Sequence, residues 1–302
     1  MSASVLFDAP GPKARRRHAI VGAIGSAVII ALLAVAIWKL ADKGQFDTFK
    51  WKPFTQISFW QDYILPGLVG TLKAAGIAIV ISCVFGGILA LLRLLEPPAG
   101  TSPVAIVLRG VKVVAGAWVE ITRAIPVLLM MFFIFGFLSA QGLVAPGSRP
   151  LVATVSGLVF YNSSVICEVI RSGVAQLPGG QREAGLAIGL PAGQTVRSIL
   201  LPQAVTSMLP ALIGQLVVVL KDTALGYNVL YGELLYTSKP ATAVYGNIFA
   251  MLVVVAILYI LLNYAIGKLA EYADRRMKNR GRGGGTDRTG PQDVVLSANQ
   301  AQ

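Results

Sequence analysis

Charged residues are scarce in this sequence, and they are missing in whole blocks. Asp, Glu, Lys and Arg make up 13% of the 302 residues, whereas a soluble globular protein usually carries about 25%. A helix that crosses a membrane needs about 20 mostly apolar residues. Six stretches without any of these four residues are long enough to matter: 19–38, 74–92, 124–148, 150–167, 198–220 and 240–267. A soluble chain of this size lacks the polar surface to cover six such stretches, which excludes a soluble fold.

Histidine and cysteine are also rare, which limits the chemistry that this chain can perform. His18 is the single histidine, and Cys83 and Cys167 are the two cysteines. These residues cannot assemble a zinc site or a Ser/His/Asp or Cys/His arrangement. The sequence also lacks the Gly-x-x-x-x-Gly-Lys-Ser/Thr pattern that binds ATP phosphates. We therefore predict no catalytic residue, no metal site and no cofactor, and we interpret both cysteines as small apolar packing residues.

Positive charge is in excess, with a net charge of +12, and its distribution indicates a membrane topology. Lys13 and the three arginines 15–17 precede the first apolar stretch, which places the N-terminus in the cytoplasm. Six spans then return the C-terminus to the same side, and this layout puts 18 of the 26 Lys and Arg residues inside. Because cytoplasmic loops are enriched in these residues, we predict a multi-pass protein of the cytoplasmic membrane and no nucleic-acid partner.

The apolar blocks predict an all-α polytopic fold with six transmembrane helices. The first block exceeds the apolar core of a cleaved signal peptide, about 7–15 residues, so we interpret 19–40 as an uncleaved span. A cytoplasmic tail (1–18) precedes it, and an external connection (41–63) follows. The main membrane domain is 64–268, with spans at about 65–95, 119–139, 150–170, 198–220 and 245–267. An amphipathic segment, 101–119, leads into the third span, and the tail 269–302 is predicted to be cytoplasmic and largely disordered.

The segment 171–197 is the most unusual part of the chain. Between Glu183 and Arg197 lie 13 uncharged residues, too few to span a membrane and too apolar for an ordinary cytoplasmic loop. Pro191 would break a continuous helix there. We predict two short helices with an exposed apolar face, and such a face requires a protein partner.

The same segment carries a recognisable motif: Glu183-Ala184-Gly185, then Gly189, then Ile199, Leu201 and Pro202. It resembles the signature loop of ABC importer permeases, whose pattern is Glu-Ala-Ala, three residues, Gly, nine residues, Ile, one residue and Leu-Pro. Gly185 departs from the pattern and weakens its helix by about 1 kcal/mol relative to Ala. The resemblance implies the type I ABC importer transmembrane fold and a loop that docks onto an ATPase subunit. Small residues on this face would let the subunits approach closely, with Glu183 meeting a basic or amide group.

Four further elements resemble the permeases for polar amino acids (histidine, glutamate, glutamine and arginine uptake). They are Glu-Ile-Thr-Arg-Ala-Ile-Pro at 120–126, Tyr161 with Glu-Val-Ile-Arg-Ser-Gly at 168–173, Pro-Gly-Gly-Gln at 178–181, and Lys-Asp-Thr-Ala-Leu at 221–225. The resemblance covers about 64–268. When the N-terminal residues 6–10 and the basic cluster are included, the overall sequence is most similar to that of actinobacterial glutamate permeases.

This resemblance implies a transport subunit without enzymatic activity of its own. It implies a permease that carries a polar amino acid, glutamate first, across the cytoplasmic membrane while a separate ATPase subunit hydrolyses ATP. The implied partners are that ATPase, a second permease subunit (identical or related), an extracytoplasmic substrate-binding protein and membrane lipid. An ion-coupled secondary transporter is the alternative, but it favours midplane charges and broken spans in both halves. A receptor or assembly protein without transport activity also stays open.

Six charged residues are candidates for the transport pathway or its gate, because charge within a span is costly and tends to face the interior of the bundle. Glu120 and Arg123 are three residues apart, so they share a helix face and can neutralise each other. Glu168 and Arg171 repeat this spacing. Each pair is either a structural ion pair or a gate. Lys221 and Asp222, at the far end of the fifth span, either border the pathway or form a structural pair.

Overall fold

The computed structural model describes residues 11–282, and within that range it is helical and contains no strand. The long helices are α1 (Pro12–Asp42), α2 (Leu65–Arg93), α3 (Pro103–Ala124), α4 (Val127–Gln141), α5 (Arg149–Ala175), α6 (Gly179–Ala187), α7 (Leu201–Asp222), α8 (Leu234–Tyr245) and α9 (Ile248–Arg282). Short helical turns cover Thr48–Trp51, Lys52–Thr55, Ile57–Phe59, Trp60–Ile64, Pro146–Ser148, Ala192–Thr195, Val196–Leu200 and Thr223–Val229. The predictions for residues 1–10 and 283–302 lie outside the described residues.

The all-α polytopic prediction is confirmed. Over residues 11–282, five helical segments are long and apolar enough to cross a membrane, and there are six if α3 and α4 count as one broken span. The membrane-length segments containing α2 and α7 start upstream of these helices, at Ile57 and Ala192, because the short turns before each helix continue into it.

Helix α5 lies at the centre of the bundle and contacts α2, α3, α4 and α7. Lipid tails are as apolar as leucine side chains, so helices in a membrane associate chiefly through close packing. Gly86 of α2 illustrates this closeness, since a Cβ added there would lie 2.7 Å from the carbonyl oxygen of Ser163 on α5. Cys167 packs into this core, whereas Cys83 is exposed on α2. The predicted packing role therefore holds for Cys167 alone.

Helix α1 stands apart from the rest, because none of its residues is buried. Its apolar side chains are exposed on all sides, as expected for a helix surrounded by lipid. The packed bundle is therefore formed by the part of the chain from about the Ile57–Phe59 turn onward.

The predicted third span, 119–139, is not one straight helix. The chain bends by 102° between α3 and α4, at Ile125 and Pro126. Proline disfavours helical geometry in the residue before it, and Ile125 has extended angles (φ −87°, ψ 127°). The 15 residues of α4 reach only about 22 Å. That length is below the hydrocarbon thickness of about 30 Å, so α4 alone is too short to be the predicted straight third span.

The sixth span also differs from its predicted boundaries. It begins at Ile248, after α8 ends at a left-handed Gly246 (φ +59°), whereas the sequence predicted a start at about 245. It continues as helix to Arg282, so residues 269–282, predicted as the start of a largely disordered tail, are helical.

Candidate functional site

Glu168 of α5 is the centre of an ion-pair cluster at the ends of three helices. Arg93, the last residue of α2, places Nη1 2.9 Å from Glu168 Oε2. Arg171 lies one turn after Glu168 and donates from Nε to both carboxylate oxygens at 3.0 Å. Arg123, in the last turn of α3, lies 3.9 Å away through Nη1. One carboxylate therefore faces three guanidinium groups from three different helices.

The predicted pairing of Glu168 with Arg171 is present, but that of Glu120 with Arg123 is not. Glu120 Oε1 lies 3.6 Å from Arg93 Nη2 instead. The physical reason is that the less exposed carboxylate attracts the cations more strongly: the Glu168 side chain is 23% exposed and that of Glu120 is 67% exposed. Residue spacing along a helix identifies only partners on the same helix. It therefore could not indicate Arg93, which lies on α2.

Arg93 is thus a member of the cluster that the sequence reasoning missed. The available signal was its position as the first charged residue after a long apolar stretch. Its side chain is only 18% exposed. Arginine at such a place requires a carboxylate nearby, because an unpaired buried charge is costly.

Lys221 and Asp222 lie far from this cluster. They end α7, whose 22 residues extend over about 33 Å. The start of α7 lies beside the signature loop, where Gln203 donates to Gln181 at 3.3 Å. The charged candidates therefore form two groups at opposite ends of the bundle.

A polar contact between α5 and α7 lies between these two groups. Gln215 Nε2 donates to Asn162 Oδ1 at 2.6 Å, and the Asn162 amide donates to the Leu158 carbonyl at 2.8 Å. Asn162 is fully buried. The sequence signal was the run Tyr-Asn-Ser-Ser inside an apolar span, which the sequence reasoning did not use. Hydrogen bonds of this kind link membrane helices at about 0.6–2 kcal/mol each.

The signature segment contains one separate short helix, α6, whereas the second short helix predicted there is the start of the membrane-length segment that contains α7. Helix α6 ends at Ala187, and Gly189 adopts a left-handed conformation (φ +83°) that glycine tolerates best. Pro191 then starts the turn Ala192–Thr195, which continues through Val196–Leu200 into α7. The loop is therefore continuous with the helix that follows it.

The residues of the motif divide into an outward set and an inward set. Glu183 and Ala184 are exposed, and the exposed apolar residues Leu186 and Ile188 lie next to them. Gly185 is buried, and Ile199 and Leu201 are partly buried; Pro202 is exposed in the first turn of α7. The outward set forms an exposed apolar face with one carboxylate, whereas the inward set holds α6 against the start of α7.

The position of Gly185 corrects one expectation. We expected its small size to let a partner approach, but it packs against its own chain. A Cβ at this position would lie 2.6 Å from Thr195 Cγ2 and 3.1 Å from Ile199 Cδ1. Thr195 is buried and occupies the space that an alanine in the motif would need.

Comparisons with known proteins place the chain among membrane transport components. Residues 108–279 match the family described as "Binding-protein-dependent transport system inner membrane component". The chain is 41% identical over 239 residues to the glutamate transport system permease protein GluD of Corynebacterium glutamicum, which covers 79% of this chain and 84% of that protein. It is 29% identical over 219 residues to the glutamate/aspartate import permease protein GltK of Escherichia coli, over 71% and 93% of the two chains.

Solved structures give the same result for the fold. The crystal structure of an amino acid ABC transporter with histidines matches with a TM-score of 0.60 and 27% identity, over 70% of this chain and 92% of that chain. A bacterial ABC transporter involved in the import of the acidic polysaccharide alginate matches with a TM-score of 0.57 at 16% identity. The type I importer fold predicted from the signature motif is confirmed.

We predict that Glu168→Gln destabilises the protein far more than Glu120→Gln does. Removing one partner from a fully buried ion pair costs about 3–5 kcal/mol, because the remaining charge stays unpaired. Since the Glu168 side chain is 23% exposed, its loss should cost less than that range but clearly more than the loss of a surface carboxylate. The exposed Glu120 should contribute below about 1 kcal/mol. Thermal unfolding of the two purified variants in detergent, against the unaltered protein, measures the difference. Equal melting temperatures for the two variants would show that Glu168 does not organise the cluster.

We also predict that Gly185→Ala lowers the melting temperature, although alanine is the better helix former by about 1 kcal/mol. The new methyl group would overlap Thr195, so the double variant Gly185→Ala/Thr195→Ala should regain part of the loss. Thr195→Ala alone is the matched control, and the coupling between contacting residues is typically about 0.5–3 kcal/mol. Additive effects in this cycle would contradict the packing of α6 on the turn that follows it.

Proposed function

The chain belongs to the family of binding-protein-dependent transport system inner membrane components, and on this basis we propose that it imports glutamate as the permease subunit of an ABC transporter. It is a multi-pass membrane subunit, and a separate ATPase subunit hydrolyses ATP. Its further partners are a second permease subunit and an extracytoplasmic substrate-binding protein. Family membership favours this function over the ion-coupled alternative.

The observation that carries the choice of glutamate is the similarity to the Corynebacterium glutamicum glutamate permease over most of both chains. The charge of the Glu168 cluster supports it, since three arginines face two carboxylates. A net positive site raises the local concentration of an anionic substrate more than that of a cationic one.

The signature loop supplies the coupling step of this proposal. The exposed face formed by Glu183, Leu186 and Ile188 would dock onto the ATPase, while Gly185 and Ile199 hold α6 to the start of α7. A displacement of α6 on ATP binding would then move α7 as a rigid continuation, and such movements open and close a pathway.

The Glu168 cluster would act as the inner gate. Its five charged residues join α2, α3 and α5 at the end of the bundle nearest the signature loop. Separating these helices would break together the pairs that Arg93 and Arg123 form across them, which favours two discrete states, closed and open. Lys221 and Asp222 would border the opposite end of the pathway.

The substrate is tested by uptake of labelled amino acids at micromolar supply, in cells with and without the gene. We expect a selective loss of glutamate uptake on deletion. Loss of arginine, histidine or glutamine uptake instead would keep the importer and refute glutamate as its substrate. Unchanged amino-acid uptake would refute the proposed transport function.

We predict that Glu183→Lys leaves the protein inserted but lowers uptake by at least tenfold, about 1.4 kcal/mol, because the reversed charge opposes the ATPase surface. The ATPase should also be lost more readily during purification. Glu271→Lys, a charge reversal at another exposed carboxylate, on α9, is the control and should keep uptake near normal. Normal transport and normal ATPase retention by Glu183→Lys would show that this face does not couple.

We propose that both termini and the signature loop are cytoplasmic, because this orientation puts 18 of the 26 Lys and Arg residues on the cytoplasmic side. In a background without Cys83 and Cys167, cysteines at Gly180 and Gln302 should resist an impermeant thiol reagent in intact cells. A cysteine at Asp47, in the predicted external connection, should react. Labelling of Gly180→Cys or Gln302→Cys from outside would refute this layout.

A further inference from the structure

A cavity of about 480 Å³ lies where α2 ends, beside α3, α5 and the start of α6. We call it the basic pocket. Its charged lining is unusual for so small a space, since four cations share it with a single carboxylate. These residues are Arg93, Lys112, Arg171, Arg182 and Glu96.

The carboxylates around the basic pocket do not neutralise its cations. Glu96 pairs with Arg182 at 2.6 Å. Arg93 and Arg171 share Glu168 with Arg123, and Arg93 also lies 3.6 Å from Glu120, so three arginines face two carboxylates there. The Lys112 ammonium donates to the Leu95 carbonyl at 2.9 Å, and across residues 11–282 it belongs to no ion pair. The pocket therefore keeps an excess of positive charge.

Backbone amides add to that charge. Helix α6 begins at Gly179, which lines the basic pocket, and its N-cap Pro178 makes no side-chain cap hydrogen bond. The first N–H groups of a helix have no partner within it and carry partial positive charge, which favours an anion.

An apolar groove of about 470 Å³ lies between α2 and α3, the two helices whose ends also line the basic pocket. Its lining is almost entirely apolar and includes Leu89, Leu92, Val107, Gly110, Val114 and Trp118. Leu92 of the groove is the chain neighbour of Arg93 in the pocket, and Val111 is the neighbour of Lys112. The groove and the basic pocket are therefore lined by consecutive residues on both helices.

We propose that the basic pocket and the apolar groove together bind an anionic phospholipid, with its phosphate in the pocket and an acyl chain in the groove. A free phosphate would leave the groove unused, and an apolar protein helix would gain nothing from four cations. Basic pockets between membrane helices on the cytoplasmic side suit anionic headgroups. The orientation proposed above places this lipid in the inner leaflet. The site does not depend on which amino acid is transported.

The test is native mass spectrometry of the complete purified transporter, titrated with phosphatidylglycerol or phosphatidylcholine. We expect each copy of this permease chain to retain one phosphatidylglycerol, in preference to phosphatidylcholine. Lys112→Gln should weaken retention about fivefold, since a basic residue near an anionic lipid contributes about 1 kcal/mol. Arg109→Gln is the matched control: Arg109 is one turn away on α3, but its guanidinium bonds the carbonyls of Pro98 and Gly100 outside the pocket lining. It should retain the lipid normally.

A second variant separates the lipid from a soluble anion. A Cβ at Gly110 meets no atom within 4 Å, so Gly110→Phe fills the groove without a clash at Cβ. It should lower the retention of phosphatidylglycerol. The concentration of inorganic phosphate needed to displace the remaining lipid should stay unchanged. Equal loss in Lys112→Gln and Arg109→Gln, or equal retention of both lipids, would overturn the proposal. Full displacement by millimolar phosphate with no effect of Gly110→Phe would assign the pocket to a soluble anion. If the lipid binds only after removal of the ATPase, the pocket belongs to the contact between the permease and the ATPase.

Discussion

The carboxylate of Glu168 determines how the ends of three helices lie relative to one another. It faces Arg93 of α2, Arg123 of α3 and Arg171 of its own helix. These arginines are only partly exposed in the folded bundle, where an unpaired charge is costly, and Glu168 is the carboxylate that they share. Because α5 also contacts α4 and α7, the position of this one side chain affects this whole end of the bundle. The basic pocket and the start of the signature loop border the same cluster.

The spans that the sequence predicted well are those whose signal is local. The fourth predicted span, 150–170, lies within α5, because an uncharged stretch directly reports the preference of a segment for lipid. The third predicted span did not follow its hydropathy. Pro126 interrupts the apolar run there, and no charged residue in that run marks the break. Proline alone did not predict the bend, because Pro210 lies inside α7 without ending it.

The candidate site was only partly predictable for a related reason. Spacing along a helix identified Glu168 with Arg171, a contact within one turn. It could not identify Arg93, which is distant in the sequence and reaches Glu168 only because α2 packs on α5. The signature motif lies on α6, the turn after it and the start of α7, but the pattern does not tell which of its residues face inward. Gly185 turns out to contact Thr195, a position outside the motif.

The separation of Arg93 and Glu168 by 75 positions in the chain has a consequence for biosynthesis. At a synthesis rate of about 5–20 residues per second, the arginine leaves the ribosome about 4–15 s before its counterion. During that interval α2 must reside in the bilayer with an unpaired cation. Arg93 is the final residue of its helix, where a long side chain can extend to the headgroups. A newly inserted α2 can therefore wait for α5, which an arginine in the middle of the helix would make far more costly.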